Sequence, residues 1–400
     1  MENLFEWCLQ VRIMSDKGLF GFDDLDWLKS AKKSIDTNHR NEILRTVDLF
    51  AGCGGLVLGI SEWCRRNEYQ HRCEFASEWD MDVLSIFRKN IQPVKSSSED
   101  IEKLFDGDIE STKLTKVEER FLQTNPQSFG PDLLTGGPPC QGHSDLNNHT
   151  RRGDDRNNLY FKMVRAAFVL KPKVIIIENV TTVIHSKEKV VQISKEKLEK
   201  MGYHVSDKIL KGVEFGVPQV RSRHFLIASL KSIPNFSVLD KHVRKKPRTL
   251  SWAISDIESL AGNGELINST TKTTTENKKR MDWLVENNEY DLPNRLRPDC
   301  HKDGHTYPAV YGRMYWDRPA HTITAGFSSN GQGRFTHPRA FPGRTITPHE
   351  AARIQTFPDW FQFKAIKRGV LKKAIGNAVP PILAIHVAEV ALRDLFTELD

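Results

Sequence analysis

The segment best suited to covalent chemistry is Gly136-Gly137-Pro138-Pro139-Cys140-Gln141-Gly142. A short strand-like run ends there, and two prolines stiffen the exit. A thiol then follows at the carboxyl edge of a sheet, where α/β proteins bind their ligands. A nucleophilic cysteine needs partial exposure and a lowered pKa, and Arg151, Arg152 and Arg156 follow closely enough to supply positive potential. The alternative is a buried structural cysteine, but the Pro-Pro and Gln-Gly frame favours a nucleophile.

A carboxylate follows a second strand at the same edge. Val174-Ile175-Ile176-Ile177 is a continuous β-branched run, typical of a strand buried on both faces of a parallel sheet. Glu178-Asn179-Val180 comes directly after it, so Glu178 is expected near Cys140. A partly desolvated carboxyl group has a raised pKa, as a general acid requires. The alternative is a helix cap or a loop acid with ordinary partners.

Polar and basic side chains alternate in Pro218-Gln219-Val220-Arg221-Ser222-Arg223. Alternation in a strand places Gln219, Arg221 and Arg223 on one face. An Arg-x-Arg face beside an acid and a thiol can hold an anion or the edge of a base. Taken alone, Arg-x-Arg is more often a solvated strand face, and that alternative stays open.

A glycine loop opens the first strand–turn–helix unit. Thr46-Val47-Asp48-Leu49-Phe50 is strand-like, Ala51-Gly52-Cys53-Gly54-Gly55 follows, and Leu56 to Cys64 has helical character. Glycines allow a tight turn and close approach of a ligand, and the helix N-terminus favours negative charge. Glu78 ends the next predicted strand about 20 residues on, where a ribose-binding acid is expected, and Trp79 offers a flat face for adenine. The unit predicts an adenosine-containing cofactor, with a plain structural turn as the alternative.

Strands and helices alternate along the chain and predict a doubly wound α/β fold. Further strands are expected over 71–77, 131–135, 203–205 and 225–228, and helices over 159–170, 187–201, 348–354 and 380–396. The pattern changes at about residue 231. Basic residues crowd between Lys241 and Arg248, and periodicity stays weak to about residue 320. This stretch predicts a separate, loop-rich, basic module.

Composition limits the class of protein. The 400 residues are 38% hydrophobic and 27% charged, with 58 Lys and Arg against 51 Asp and Glu for a net charge of +7. Global disorder is excluded, and the modest positive excess suits a polyanionic partner without demanding one. No apolar run approaches the ~20 residues of a membrane span, and the N-terminus lacks the pattern of a signal peptide. Six scattered cysteines without a CxxC pair argue against a zinc site or a disulfide scaffold and predict a reducing cytosol.

Together and in this order, the motifs resemble the C5-cytosine DNA methyltransferase family of the bacterial restriction-modification type. The similarity extends from about Arg45 to the C-terminus. It rests on Asp48 to Gly55, Glu78-Trp79-Asp80, Gly107-Asp108-Ile109, Gly137 to Gln141, Glu178-Asn179-Val180, Gln219 to Arg223, Arg344 to Phe357 and Gly376-Asn377-Ala378-Val379-Pro380. The family implies a Rossmann-like, S-adenosylmethionine-dependent methyltransferase fold with a doubly wound mixed sheet.

The resemblance also implies a role for each motif residue. Cys140 is the nucleophile, Glu178 holds cytosine N3 and the amino group, Arg223 holds O2, and Arg221 supports this set. S-adenosylmethionine, which leaves as S-adenosylhomocysteine, is held by Asp48, Phe50, Ala51, Gly52, Gly54, Gly55, Glu78, Trp79, Asp108, Ile109, Pro139, Asn377 and Val379. DNA contacts come from Gln141, Ser144, Arg151, Arg152 and Gln219. No metal is implied, and Cys53 is expected to be a packing residue.

The implied reaction accounts for these residue types. Addition of a thiolate at C6 makes C5 of cytosine able to attack a methyl donor, while Glu178 at N3 draws off the developing charge. Loss of the C5 proton, to an acceptor that the sequence does not reveal, then expels the thiolate. The base must first be flipped out of the duplex, and residues 141–158 are expected to close over it as a mobile loop.

The resemblance divides the chain into four parts. These are an N-terminal extension (1–44), a catalytic domain that binds S-adenosylmethionine (45–230), a target-recognition domain (231–320) and a C-terminal part that returns to the catalytic domain (321–400). The implied partner is double-stranded DNA, with a cognate restriction endonuclease that acts on the same site without a stable complex. A monomer in the cytoplasm, associated with DNA and not with membranes, is expected in a bacterium or encoded by a phage.

Other classes share some of these features. An RNA methyltransferase acting on tRNA cytosine would carry the same motifs, although the sizeable basic module favours DNA. A catalytically inactive regulator of the same fold should lack Cys140 or Glu178, and both are present. A nicotinamide-dependent oxidoreductase leaves Pro-Pro-Cys-Gln and Gln-x-Arg-x-Arg unexplained. Methylation at an exocyclic amine would need an Asp/Asn/Ser-Pro-Pro-aromatic motif, which the sequence lacks.

Overall fold

A computed structural model of the protein describes residues 21–33, 42–139, 158–186, 188–302, 309–364 and 367–396. Its centre is a seven-stranded sheet. The strands are β1 (Ile43–Leu49), β2 (Gln70–Ser77), β3 (Lys95–Ser97), β4 (Leu133–Gly136), β5 (Val174–Asn179), β6 (His204–Lys211) and β7 (Ser222–Ser229). They lie in the order β3-β2-β1-β4-β5-β7-β6.

The first five strands are parallel, and β7 runs antiparallel to both β5 and β6. The order reverses direction beside β1, because β2 and β4 flank it on opposite sides. That reversal is the switch point at which open α/β sheets bind ligands beyond the carboxyl ends of their strands. The predicted doubly wound mixed sheet is confirmed.

Helices cover both faces of the sheet. They are α1 (Asp24–Lys29), α2 (Gly55–Arg66), α3 (Met81–Ile91), α4 (Ile101–Leu104), α5 (Lys116–Thr124), α6 (Asn158–Leu170), α7 (Val190–Lys200), α8 (Leu250–Ile254), α9 (Thr275–Glu286), α10 (Pro348–Ile354), α11 (Arg368–Asn377) and α12 (Pro381–Leu392). Short 3-10 turns lie at Pro126–Ser128, Thr181–His185, Gly212–Phe215, Phe236–His242, Glu258–Leu260, Leu266–Asn268, Asn294–Leu296, Asp299–His301 and Asn330–Gln332.

Two hydrophobic clusters sandwich the sheet, as the alternation along β5 shows. Val174 and Ile176 pack with α2 and α12 in one cluster, whereas Ile175 and Ile177 pack with α6 and α7 in the other. All six residues of β5 are buried, as predicted for a strand covered on both faces. At Gly59, helix α2 approaches α12 so closely that an added Cβ would lie 2.4 Å from the carbonyl oxygen of Pro381.

The predicted helix over 348–354 is confirmed residue for residue, with a capping box between Thr347 and Glu350. The predicted strand over 218–223 is wrong at its start, because regular pairing begins only at Ser222. Before that point, Gln219 makes a single bridge to Ala320. The alternation of residue types therefore wrongly placed Gln219 and Arg221 within the strand, because both precede its first residue.

The described part of the basic stretch from residue 231 to about residue 320 contains the helices α8 and α9 and five of the 3-10 turns. Part of it packs on the catalytic core, since Leu239, Leu250 and Ile254 belong to the cluster that covers α2 and α12. Where the recognition domain begins therefore remains a prediction.

By length and composition, one described stretch, Arg368–Leu392, is apolar enough to cross a membrane. In the fold, 94% of its most apolar window is buried inside the protein. The stretch is also broken into α11 and α12 at residues 378–380. Such burial is typical of core helices.

Candidate active site

The carboxyl ends of β1, β4 and β5 meet at one edge of the sheet. The registers Leu49↔Gly136 and Gly136↔Ile177 place the three ends side by side. The glycine loop therefore follows β1, the Gly-Pro-Pro segment follows β4, and Glu178 ends β5 within the same small region. This edge is where the motif residues were expected to meet.

Glu178 is buried at the centre of this edge. The Nε of Arg223 lies 2.9 Å from Glu178 Oε1, and a Cβ added to Gly137 would lie 3.0 Å from Oε2. The next residue, Asn179, donates from Nδ2 to the carbonyl of Pro138 at 3.1 Å. Burial raises the pKa of Glu178 above its ordinary value, against the opposing charges of Arg223 and Arg221. A buried acid with one cationic partner thus lies against the segment that leads to Cys140.

Several predicted site residues lie outside the described residues: Cys140, Gln141, Ser144, Arg151 and Arg152. Pro139, the last described residue before them, is exposed. Cys53 is buried, and its Sγ lies 3.1 Å from the carbonyl oxygen of Ala374. Burial raises the pKa of Cys53 to about 12, which makes it unsuited to nucleophilic chemistry at neutral pH.

Arg221 and Gln219 are buried in a polar network instead of facing solvent. Arg221 donates to the carbonyls of Ile323 (2.8 Å) and Gly376 (3.3 Å). Gln219 Nε2 donates to Gln355 Oε1 at 2.7 Å, and Gln219 Oε1 accepts from the backbone N–H of Ile323 at 3.0 Å. A fully buried Gln219 has no surface for the predicted DNA contact, so that expectation is corrected.

Gln355 was missed as a member of this network. Its Nε2 donates to the carbonyl of Ile375 at 2.6 Å, so it ties α10 to α11. Burial lowers the pKa of Arg221, and the nearby positive charge of Arg223 lowers that pKa further. The hydrogen bonds that Arg221 donates to Ile323 and Gly376 thus go to backbone carbonyls and not to Glu178.

The glycine loop and Glu78 form a second part of the site. Phe50, Gly52 and Gly54 all have positive φ values (54°, 53° and 98°), and the space where Gly52 would carry a side chain is open. Glu78 accepts the backbone N–H of Gly52 on one carboxylate oxygen and that of Asp80 on the other, both at 3.0 Å. Burial raises the pKa of Glu78. The carboxylate is therefore held at the loop with lone pairs remaining for ligand hydroxyls.

Trp79 is 71% exposed, which is unusual for so large an apolar side chain. The ammonium of Lys373 lies 5.4 Å from the centre of the ring and 2.9 Å from Asp80. Lys373 belongs to α11, the helix that ends at Asn377. An exposed indole beside Glu78 suits a flat heterocycle.

The C-terminal motif reaches the glycine loop across more than 300 residues of sequence. A Cβ on Gly55 would lie 2.3 Å from the carbonyl oxygen of Val379. Gly376 packs equally closely on the backbone of Thr324 and Ala325. The first contact places Val379 against the glycine loop, with Asn377 two residues before it, and the cofactor roles that the resemblance implies for both stay predictions.

Asp48 lies beneath the loop and is fully buried. Its Oδ1 accepts the hydroxyl of Thr135 at 2.6 Å, whereas Oδ2 has no hydrogen-bond partner among the described residues. Burial, together with the charge of Glu78, raises the pKa of Asp48 to about 7. An orphaned carboxylate oxygen and the Glu78 carboxylate beside open space form a set of hydrogen-bond acceptors that fits a cationic nucleoside such as S-adenosylmethionine.

We expect Asp48→Asn to change how stability depends on pH. The folded-state pKa of about 7 exceeds the ordinary value of 3.8, so protonation of Asp48 favours the folded state. This contribution is complete below about pH 4 and is lost as the pH rises to about 7, at about 1.4 kcal/mol per unit. Asn mimics the protonated acid, so the variant should be more stable than the parent by about 4 kcal/mol at pH 8.

Urea unfolding at pH 5, 6, 7 and 8 without ligand measures this difference. Asp82→Asn, which changes an exposed carboxylate on α3, is the control and should parallel the parent. Equal pH slopes for Asp48→Asn and the parent would show that Asp48 is not the titrating group.

Comparison with known proteins agrees with this geometry. The model of the C-5 cytosine-specific DNA methylase family matches residues 44–393. The chain belongs to this family. It is 42% identical over 383 residues to the type II methyltransferase M1.BsuMI of Bacillus subtilis (strain 168), covering 94% of this chain and 88% of that protein. It is 30% identical over 377 residues to M.NgoFVII of Neisseria gonorrhoeae, covering 90% and 89%.

Solved structures support the fold. A DNA modification methyltransferase encoded within an E. coli prophage matches with a TM-score of 0.60 at 23% identity, over 89% of this chain and all of that one. The S. pombe Dnmt2 methyltransferase matches with a TM-score of 0.55 at 17% identity, over 88% and 100%. The predicted family, fold and DNA cytosine methyltransferase activity are confirmed.

Among the described residues, no group of three or more His, Cys, Asp or Glu side chains could hold a metal ion. The sequence analysis missed two buried ion-pair clusters. One is the pair Arg165 and Glu118, which holds the loop carrying Asp108 and Ile109. The other is Asp24 in the N-terminal segment, which pairs with Arg66 and Arg248. For the Arg165–Glu118 pair, the sequence offered one signal, which is a single Arg within the mostly apolar stretch 159–170.

Proposed function

We propose that the protein methylates C5 of a flipped-out cytosine within a specific sequence of duplex DNA, through a transient bond between Cys140 and C6 of the base. The observation that carries the proposal is the buried Glu178, paired with Arg223 and in contact with Gly137. The carboxyl group of Glu178 and the guanidinium of Arg223, next to the segment that precedes Cys140, match the hydrogen-bonding groups on the polar edge of cytosine. The family membership supports the same reaction.

Glu178 and Arg223 bind the base in this proposal. Cytosine presents an acceptor at N3, a donor amino group at C4 and an acceptor at O2. A protonated Glu178 donates to N3 and accepts from the amino group, and Arg223 donates to O2. The raised pKa of Glu178 favours the protonated form that this pairing requires.

Cys140 supplies the nucleophile. Its thiolate adds to C6, and the electrons of the C5–C6 double bond move toward C5 while Glu178 stabilises the charge at N3. After C5 has gained its methyl group, it loses its proton to an acceptor we do not assign. The C5–C6 double bond re-forms, and the Cys140 sulfur leaves as the thiolate.

The methyl group comes from S-adenosylmethionine, whose sulfonium makes it an electrophile. Glu78 holds the ribose hydroxyls, and Trp79 stacks on the adenine. Asp108 and Ile109 lie at the adenine edge, while Asn377 and Val379 lie at the methionine end. The remaining members of the cofactor set are the glycine loop, Asp48, Phe50, Ala51 and Pro139.

The target carbon is inaccessible in a stacked duplex, so the base is flipped out at a cost of a few kcal/mol. Gln141, Ser144, Arg151 and Arg152 are proposed to contact the DNA around it. We further propose that the protein acts as a cytoplasmic, DNA-associated monomer. A restriction endonuclease acting on the same sequence is the proposed biological counterpart, without a stable complex between the two.

We expect Glu178→Gln to lower the single-turnover methylation rate by about 10²-fold or more, the usual contribution of a general acid. Gln keeps the volume of the side chain but cannot give its proton to N3. Glu74→Gln, which changes a buried Glu on β2 paired with Arg45, is the matched control and should stay within about threefold of the parent. A negligible loss with Glu178→Gln would move the acid role to another group.

The proposed function is tested by incubating the protein with labelled S-adenosylmethionine and either duplex DNA or tRNA. Digestion to nucleosides and mass spectrometry should find 5-methylcytosine in the DNA alone. Bisulfite sequencing of the same DNA then gives the sequence context. Label in tRNA alone, or at the exocyclic amine, would refute the proposal.

A further inference from the structure

Helix α6 contains a guanidinium whose hydrogen-bonding capacity is fully used. Arg165 is 1% exposed, and a guanidinium carries five N–H donors. Nε and one Nη atom donate to the two oxygens of Glu118, at 2.7 and 2.5 Å. The remaining three donors bind the backbone carbonyls of Asp108 (3.1 Å), Ser111 (2.6 Å) and Lys113 (2.6 Å). A single side chain thus holds most of one loop.

Glu118 closes the same loop from the other side. Its Oε1 accepts the backbone N–H of Gly107 at 3.1 Å, and its Oε2 accepts that of Thr115 at 2.9 Å. A Cβ on Gly107 would lie 2.3 Å from Arg165, so the loop is also packed directly on the guanidinium. The backbone from residue 107 to residue 115 is therefore fixed at both ends and in its middle by one buried ion pair.

Helix α6 makes a further contact one turn earlier. Lys162 donates from Nζ to the carbonyl of Phe105 at 3.0 Å. Residues three apart lie on one side of a helix, so Lys162 and Arg165 hold successive parts of the same chain segment. Phe168, three residues further on, lies under the guanidinium at 4.8 Å.

The fixed loop presents Asp108 and Ile109 at the cofactor site. The Asp108 side chain is exposed, and its Oδ1 accepts the N–H of Glu110 at 2.7 Å. Ile109 packs against the same hydrophobic cluster as Phe50 of the glycine loop. Because Arg165 and Glu118 bind the backbone from beneath, the two motif side chains stay available to a ligand.

We propose that Arg165, with Glu118, is a positioning residue for the cofactor, since it fixes the loop that carries Asp108 and Ile109. This inference rests on the proposed function, in which that loop meets the adenine. The buried pair keeps the loop in its binding geometry before the ligand arrives. If the loop adopted its binding geometry only part of the time, the observed affinity for the ligand would be reduced by that fraction.

The test is calorimetric titration of Arg165→Lys with S-adenosylhomocysteine in the absence of DNA. Lys keeps the charge but has three donors instead of five, so the loop should loosen and the Kd should rise about tenfold or more. The KM for S-adenosylmethionine should rise in parallel, while kcat at saturation stays within about threefold of the parent. A purely structural role would lower the thermal midpoint and leave the Kd unchanged.

Arg353→Lys is the matched control. Arg353 is equally buried and binds Asp359 and Asp256, away from the 107–115 loop. This control should lose stability and keep the Kd within about twofold. Glu118→Gln is the second variant if Arg165→Lys fails to fold, and it should show the same rise in Kd.

The outcomes separate the two proposals. A parent protein that binds no S-adenosylhomocysteine contradicts the proposed function. A parent that binds it, with a folded Arg165→Lys or Glu118→Gln variant of unchanged Kd, overturns the inference about Arg165 and leaves the proposed function intact.

Discussion

Cys140→Ser should lower DNA methylation by about 10⁴-fold or more, while the affinity for S-adenosylhomocysteine stays within about twofold of the parent. A serine hydroxyl ionises far less readily than a thiol, so it cannot add to C6 at a useful rate. Of the proposed cofactor residues, Glu78 and Trp79 follow β2 and Asn377 ends α11, so their positions do not depend on the sulfur. Single-turnover methylation of duplex DNA and calorimetric titration measure the two quantities.

Cys300→Ser is the control, because Cys300 is an exposed free thiol. This variant should methylate at the parent rate. Robust turnover by Cys140→Ser would show that the reaction does not pass through a bond to that sulfur. A parallel loss in Cys300→Ser would show that the loss is not specific to the Cys140 thiol.

Asp24→Asn should lower the free energy of unfolding by about 3–5 kcal/mol, the usual cost of removing one partner from a buried ion pair. Asp24 lies between two buried cations, with Arg66 Nη2 and Arg248 Nη1 each 3.0 Å from its carboxylate. Those charges hold the pKa of Asp24 below its ordinary value, although burial alone would raise it. Replacing the anion removes this carboxylate from beside the buried Arg248 and leaves Arg66 with Glu62, its other carboxylate partner. Urea unfolding at pH 7 without ligand measures the effect.

Asp26→Asn provides the control, since Asp26 is exposed in the first turn of the same helix. It should change stability by less than about 1 kcal/mol. If the two variants behaved alike, helix α1 would not be fastened through Asp24. The expected difference would assign residues 21–33 a structural role at the junction between α2 and the basic stretch that follows residue 231.

The part of the site built from local patterns could be predicted from sequence. The β-branched run at 174–177 gave β5, the glycine loop gave the start of α2, and the run from Pro348 to Ile354 gave α10. Each depends on residues a few positions apart. The order of motifs along the chain then indicated the family, and through it the meeting of Val379 with Gly55.

Tertiary contacts account for what sequence missed. Asp24 and Arg248 are 224 positions apart, and no local pattern connects them. Gln219 alternates with two arginines as a strand residue would, yet the segments around Ile323 and Gln355 bury it before β7 begins. Arg165 interrupts an apolar helix for a reason visible only when its five hydrogen bonds are seen together.

The central claim is the covalent bond between Cys140 and cytosine, and trapping it is the most direct test. Duplex DNA with 5-fluorocytosine at the mapped target position is incubated with the protein and S-adenosylmethionine. Fluorine at C5 cannot leave as a proton does, so the thiolate cannot be expelled. The account predicts a denaturant-resistant adduct whose peptide map places the DNA on Cys140. Methylation of normal DNA at that position, with no adduct to the fluorinated duplex, would contradict it.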